Sequence, residues 1–159
     1  YVRNGYEIGF KLLSDFGSYG KAKVKSMIED RFKDSLKDGF FQDESKIVYS
    51  EKSMKGLGVV LPKALGSIAY LDTIVVGNGF TKKGLGTDLM QAILNENGKL
   101  FWRSRIDRQA NAWYFEIADG HQKYEGVDGK KYNAFWIGLE VDQVKNAMDY
   151  LVKRPSNFH

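Results

Sequence analysis

The stretch SIAYLDTIVVGNGFTKKGLGTDLMQAILNENGKLFWRSRI, residues 67–106, decides the fold. Its opening SIAYLDTIVV is rich in β-branched and aromatic residues and is bounded by glycines, which predicts a central strand. Alternation along it puts Tyr70 and Asp72 on one face and Leu71 and Thr73 on the other. A glycine-rich loop follows. Leu85, Leu89, Ala92 and Ile93 then recur at helical spacing, with Gly98 as a natural terminator. LFWRSRI, residues 100–106, is a second strand. Strand, helix, strand at this spacing implies a right-handed crossover, so the two strands should lie side by side and parallel.

Both ends of this unit carry chemistry. On the second strand Leu100, Trp102, Ser104 and Ile106 point one way, and Phe101, Arg103 and Arg105 the other. Two guanidiniums on a half-buried face need partners, either carboxylates of the same chain or a ligand. At the loop, free backbone N–H groups and the positive end of a helix dipole would face an anion. The Walker pattern fails because Leu85, not lysine, follows Gly84, and the dinucleotide pattern fails because Lys82 stands where a third glycine belongs. A shorter x-x-x-G-x-G run fits at residues 81–86, and it reads equally as an ordinary glycine-rich loop.

Working outward, Asp107 is expected to cap a helix that carries Asn111, Trp113 and Tyr114 and closes at Gly120. Residues 121–131 read as a surface loop and residues 134–139 as a strand. Asp142 should cap a last helix with Val144, Ala147, Met148 and Leu151 on one face, stopped by Pro155. Upstream, residues 46–50 and 58–61 suggest a hairpin. Val24, Met27, Ile28, Phe32 and Leu36 mark an amphipathic helix between residues 18 and 37, whose lysines read as a solvated face. Residues 1–17 read as a short strand or linker. The expectation is one α/β domain over residues 18–159, a mixed central sheet flanked by helices.

Composition narrows the chemistry. The chain has 159 residues, 43% hydrophobic, which suits one core rather than two. The net charge of +4 fits an anionic partner, although no nucleic-acid motif accompanies it. There is no cysteine, which excludes disulfides and thiolate metal sites. No apolar run reaches the length of a membrane span, and no targeting peptide is visible. His121 and His159 are poorly placed for a metal cluster or a histidine base.

The combination of central strand, glycine loop opening a helix, parallel strand and Asn-x-x-Tyr helix is more specific than any part. It resembles the GNAT family of acyl-CoA N-acyltransferases. Within that family YLDTIVV (residues 70–76), LFWRSR (100–105), NAWYFE (111–116), ADG (118–120), FWIGL (135–139) and SNFH (156–159) resemble the acetyltransferase domain of N-acetylglutamate synthases. The resemblance is dense from Tyr70 onward and loose before it. In vertebrate-type synthases and bifunctional synthase/kinases this domain is fused to an amino-acid kinase domain.

The resemblance implies a GNAT fold, acetyl-CoA as cosubstrate without a metal, and acetyl transfer to the α-amine of L-glutamate in arginine biosynthesis. The pantetheine arm would lie along Ile74, Val75 and Val76. The pyrophosphate would meet Thr81, Lys82, Lys83, Gly84, Leu85, Gly86 and Thr87. Arg103 and Arg105, with Tyr70, would hold the amino acid, and planar guanidiniums suit its two carboxylates. Tyr114 would protonate the leaving thiolate, with Asn111 as an orienting group. Trp102 and Trp113 are assigned to packing. The base is expected to be water-mediated, with Asp72 and Glu116 as alternatives that also read as structural.

A kinase domain or subunit, or a second copy of the chain, is an expected partner. Nucleic acid and membrane are not. The compartment implied is the cytoplasm, or the mitochondrial matrix in a eukaryote. Departures from the family pattern are Thr73 in place of lysine, Arg108 in place of asparagine, Thr81 in place of Gln or Arg, and a loop about two residues longer. They leave open another acyl group, another acidic acceptor, or a non-catalytic module that binds an acidic metabolite.

Overall fold

The computed structural model describes residues 1–3, 5–80 and 84–159. In chain order its elements are β1 (Val2–Arg3), β2 (Tyr6–Leu12), α1 (Gly17–Phe32), β3 (Ile47–Glu51), β4 (Gly56–Leu65), β5 (Ile68–Val76), α2 (Leu85–Glu96), β6 (Leu100–Arg105), α3 (Asn111–Ile117), β7 (Gly120–Glu125), β8 (Lys131–Ile137) and α4 (Val141–Lys153). The eight described strands form one sheet in the order β1-β2-β3-β4-β5-β6-β8-β7. β5 and β6 are the parallel pair that the crossover predicts, and the other described pairs are antiparallel.

The parallel pairing is short. Ala69, Tyr70 and Leu71 pair with Leu100, Phe101 and Trp102, and beyond that point the two strands part. The cause is visible in the register of β5 against β4. Val59 pairs with Thr73 and Val60 with Leu71, so Asp72 is an extra residue on β5. A bulge of this kind bends its strand and increases its twist. β6 meanwhile stays on β8 as far as the Arg105–Tyr132 pair. A gap therefore opens between the carboxyl ends of two neighbouring strands.

The bulge also inverts the alternation of β5. Leu71 packs with α2, while Tyr70 packs with α4 on the opposite face. After Asp72, Ile74 and Val76 lie against the α2 cluster, and Val75 joins the α1 cluster. Thr73 stands opposite Val59, itself in the α1 cluster, so Thr73 does not share a face with Leu71 as simple alternation predicted.

Two helices cover each face. α1 packs through Val24 and Ile28 onto Leu57, Val59 and Val75, and α4 through Ala147 and Leu151 onto Tyr70 and Phe101. On the other side α2 buries Leu85, Leu89 and Ile93 completely beside Trp102 and Tyr114. Each such side chain contributes roughly 1.5–3 kcal/mol relative to exposure. β2 pairs with β3, so residues 6–12 are part of the sheet. β4 runs through Pro62, where the register against β5 is irregular and a missing N–H costs no ladder bond.

Four local expectations are corrected. α3 begins at Asn111 behind Ala110, with no side-chain cap, and Asp107 lies in the preceding turn. Residues 121–131 are not a surface loop: β7 and β8 form a hairpin there, and β7 is an edge strand whose polar side chains conceal its period. Gly120 starts that strand instead of closing a helix, and a Cβ on it would sit 2.5 Å from the Trp136 ring. Finally, Glu140 caps α4 in a capping box with Gln143, and Asp142 falls in the first turn.

Candidate active site

Where β5 and β6 part there is a cleft of about 260 Å³. Residues 71–74 and 102–105 line it from the two strands, Arg31 and Phe32 from α1, Arg108 from the turn after β6, Tyr114 from α3, and residues 156–158 from the C-terminal segment. Because the gap passes through the sheet, its two ends differ. Arg103 and Arg105 face the side covered by α1, while Trp102 and Tyr114 belong to the cluster under α2.

The C-terminal segment is held by a buried polar cluster centred on the bulge. Asp72 pairs with Lys46 at 2.8 Å and with Arg154 at 3.5 Å, and accepts a hydrogen bond of 2.7 Å from the Asn157 amide. Burial pushes the Asp72 carboxyl up, but Lys46, Arg154 and the hydrogen bonds outweigh it and hold it below the usual carboxylate range. Lys46 also donates to the Phe40 carbonyl at 2.8 Å, which ties the start of β3 to the same point. The main-chain N–H of Lys37 donates to the Asn157 carbonyl at 2.8 Å, and that of His159 to the Ser35 carbonyl at 3.0 Å.

The two strand arginines have different circumstances. Arg103 donates from Nη1 to the Arg154 carbonyl and from Nη2 to the Pro155 carbonyl, both at 2.7 Å, and its guanidinium lies 4.7 Å from the Tyr132 ring. Each terminal nitrogen thus uses one of its two N–H donors to fasten the C-terminal segment. Arg105 is loosely tethered, with Nε 3.9 Å from Asp107 and otherwise without a hydrogen-bond partner among the described residues. Of the two partner types expected for these guanidiniums, Arg103 takes neither, being held by main-chain carbonyls, and Arg105 has only a long contact with a carboxylate of the chain.

Tyr114 is 7% exposed and lines the cleft, packed edge-on against Trp102 at 5.5 Å. Burial pushes its phenol well above the ordinary value, and only Arg31 pulls the other way. Asn111 does not line the cleft. Its amide donates to the Arg105 carbonyl at 2.8 Å and so pins the start of α3 to the end of β6. Tyr70, expected beside the substrate, is fully buried between Phe101 and Tyr150 on the α4 face and is not among the lining residues.

Of the residues expected along a coenzyme, Ile74 lines the cleft, Val76 is half-buried beside it and Val75 is buried in the α1 core. Gly84 takes the left-handed conformation, φ 81°, as α2 begins. The first helical hydrogen bond described runs from the Asp88 N–H to the Gly84 carbonyl, so the N–H groups of Leu85, Gly86 and Thr87 lie ahead of it. Leu85 is itself buried in the core, whereas Thr87 is exposed. A Cβ on Gly86 would make ordinary contacts with Val76 at 3.5 Å and Trp113 at 3.7 Å. Thr81, Lys82 and Lys83 lie outside the described residues.

Sequence reasoning passed over Arg31, Lys46, Arg154 and Asn157. Arg31 carried one faint signal, since it follows Ile28 by three positions and so sits beside the buried stripe of α1. Arg154 carried the same signal, three positions after Leu151 at the end of α4, while Lys46 and Asn157 lie outside any helical period. Among the described residues no helix is long and apolar enough to cross a membrane, and no group of three or more His, Asp or Glu could hold a metal ion.

Comparisons with known proteins meet the site at this point. The family model described as "NAT, N-acetyltransferase, of N-acetylglutamate synthase" matches residues 13–154. A Xylella fastidiosa protein named acetylglutamate kinase is 28% identical over 135 residues, which cover 84% of this chain and 30% of that protein. The human protein named N-acetylglutamate synthase, mitochondrial, is 24% identical over 144 residues, covering 87% of this chain and 26% of that protein. The chain thus spans less than a third of either relative's length. An Arabidopsis thaliana structure solved in complex with acetyl-CoA superposes with a TM-score of 0.57 at 13% identity, over 82% of this chain and 98% of that one. The architecture is the GNAT acyltransferase fold. With most of its length matched by the family model, the chain belongs to the N-acetyltransferase (NAT) family of N-acetylglutamate synthase.

Proposed function

We propose that this domain transfers the acetyl group of acetyl-CoA to the α-amine of L-glutamate. One observation carries the reading: Arg105 and Tyr114 line a single cleft that passes through the gap between β5 and β6. An anionic acceptor enters from the α1 side, where Arg105 holds a carboxylate. The edge of β5 that β6 has left at residues 74–76 offers main-chain groups to the pantetheine arm. The N–H groups at the start of α2 and the dipole of that helix suit its pyrophosphate. When bound, the thioester supplies the activated acyl group.

This chain's residues then do the rest. Arg105 fixes the acceptor so that its amine points into the gap, which removes the entropic cost of bringing two reactants together. Trp102 and Tyr114 wall off water on the far side. Tyr114 is kept protonated by burial, and it gives its proton to sulfur as the carbon–sulfur bond breaks. The amine's own proton leaves through water to the open α1 side, since Asp72 is already committed to Lys46 and Arg154. No covalent acyl-enzyme forms, and both substrates are bound together. Relatives named acetylglutamate kinase and N-acetylglutamate synthase support glutamate as the acceptor, and make a kinase domain a candidate partner.

The test is thiol release from acetyl-CoA with and without L-glutamate. Glutamate-dependent release supports the reading. Absence of release with any acidic amino acid points to a binding module, and equal release with unrelated acceptors moves the enzyme elsewhere in the GNAT fold.

A further inference from the structure

A five-carbon diacid needs two anion subsites, and the strand face supplies only one. Arg103 sits beside Arg105 but has committed both terminal nitrogens to the carbonyls of Arg154 and Pro155. A second cation must come from another wall of the cleft. Two are there. Arg108 and Arg31 both line it, from the turn after β6 and from the last turn of α1.

Arg108 is prepared for such a role. Its guanidinium carbon lies 5.1 Å from the centre of the Phe32 ring, a cation–π contact that uses none of its N–H donors. Its backbone is fixed as well. The Arg108 N–H donates to the Arg105 carbonyl at 3.0 Å, and the Asn111 N–H donates to the Arg108 carbonyl at 3.2 Å. The Arg105 carbonyl thereby serves as a pivot for Arg108 and, through the Asn111 amide, for α3. Among the described residues neither Arg108 nor Arg31 is in an ion pair with a carboxylate. Arg31 is exposed at the mouth and acts on the interior through its field, which reaches Tyr114.

We infer that Arg108, over the Phe32 ring, and Arg31 together form a second anion subsite, in which Arg108 holds the side-chain acid group of the acceptor and Arg31 adds its field, while Arg105 holds the α-carboxylate. This rests on the proposed acceptor class, and assigns the choice of diacid over neutral amino acid to the α1 wall and not to the strand. A carboxylate leaving water for the Arg108 guanidinium gains charge-assisted hydrogen bonds that a carboxamide cannot match. Discrimination between L-glutamate and L-glutamine therefore reports on this subsite, and affinity for both reports on Arg105.

The experiment compares wild type, Arg108→Gln, Arg31→Gln and Arg105→Gln by titration calorimetry with L-glutamate and L-glutamine, and by KM and kcat for each in the thiol assay. Thermal melting checks that each variant is folded. Arg108→Gln should weaken L-glutamate about 10- to 100-fold and erase most of its advantage over L-glutamine, the loss falling mainly on KM. Arg31→Gln should do the same more weakly, about threefold, because it acts at longer range through solvent. An unchanged glutamate-to-glutamine ratio in Arg108→Gln overturns the subsite, as does failure of the wild type to bind any dicarboxylate. Wild type that binds L-glutamate through Arg108 without releasing thiol keeps the subsite and removes the transfer reaction.

Discussion

Lys46 and Asp72 form an ion pair at 2.8 Å, with the lysine side chain 3% exposed and the aspartate completely buried. The pair joins the start of β3 to the bulge of β5, and Arg154 and Asn157 extend it to the C-terminal segment. Removing one partner leaves the other charge unpaired in the core. Asp72→Ala should therefore cost about 3–5 kcal/mol in chemical denaturation, and more than the double variant with Lys46→Met.

The same carboxylate sets an acid limb of stability. Its folded pKa is depressed below the ordinary value of about 3.9, so its contribution is present above that pH and is lost as pH falls through the lower, folded value. Stability measured between pH 6 and pH 2 should decline less steeply at the acid end in Asp72→Asn than in wild type, from a lower starting level. A parallel decline in both proteins would assign the acid limb to other carboxylates.

Arg103→Ala and Arg105→Ala should separate in kind. Arg103→Ala strips two main-chain carbonyls of their donors, so the melting temperature should fall by several degrees and acceptor binding should weaken as the C-terminal wall loosens. Arg105→Ala should leave the melting temperature nearly unchanged and raise the acceptor KM about 10- to 100-fold. Neither should alter acetyl-CoA affinity by much.

Tyr114→Phe keeps every ring contact and removes only the hydroxyl. We expect kcat to drop about 100-fold or more, with folding intact and KM values little moved. Burial raises the phenol above its ordinary value of about 10, so in wild type no loss of kcat from its ionisation should be seen below about pH 10. Initial-rate plots against both substrates should intersect. Parallel lines, or a trapped acyl-enzyme, would remove the direct-transfer mechanism.

Gly120→Ala tests the corrected β7–β8 hairpin. A methyl there would need the Trp136 ring, now 2.5 Å from the position of its Cβ, to leave its place over the strand. The expected cost is about 1–3 kcal/mol, as for other overpacked sites. A glycine that merely ended a helix in solvent would tolerate alanine more easily.

Much of this molecule was legible in its sequence for identifiable reasons. The β5–α2–β6 unit was readable because its strands are rich in β-branched and aromatic residues and its helix has a clear buried stripe at Leu85, Leu89 and Ile93. The LFWRSR and NAWYFE runs carried the family, and the structure brings Arg105 and Tyr114 to one cleft. The β7 strand escaped because an edge strand such as GHQKYE shows no apolar alternation. The bulge at Asp72 escaped because nothing in YLDTIVV distinguishes a paired residue from an extra one, and with it went the correct face of Thr73. Arg103 could be placed on the right face but not assigned its partners, since these are carbonyls 51 and 52 residues away in sequence.

The bulge has one more implication, for how such a domain changes acceptor. A gap produced by one surplus strand residue is a property of the sheet, whereas Arg31 and Arg108 sit on a helix end and a turn outside the strand ladder. Those two positions can exchange side chains without disturbing any strand pair. The opening is thus inherited with the fold, and the identity of what enters it can drift through two residues outside the buried Asp72 cluster.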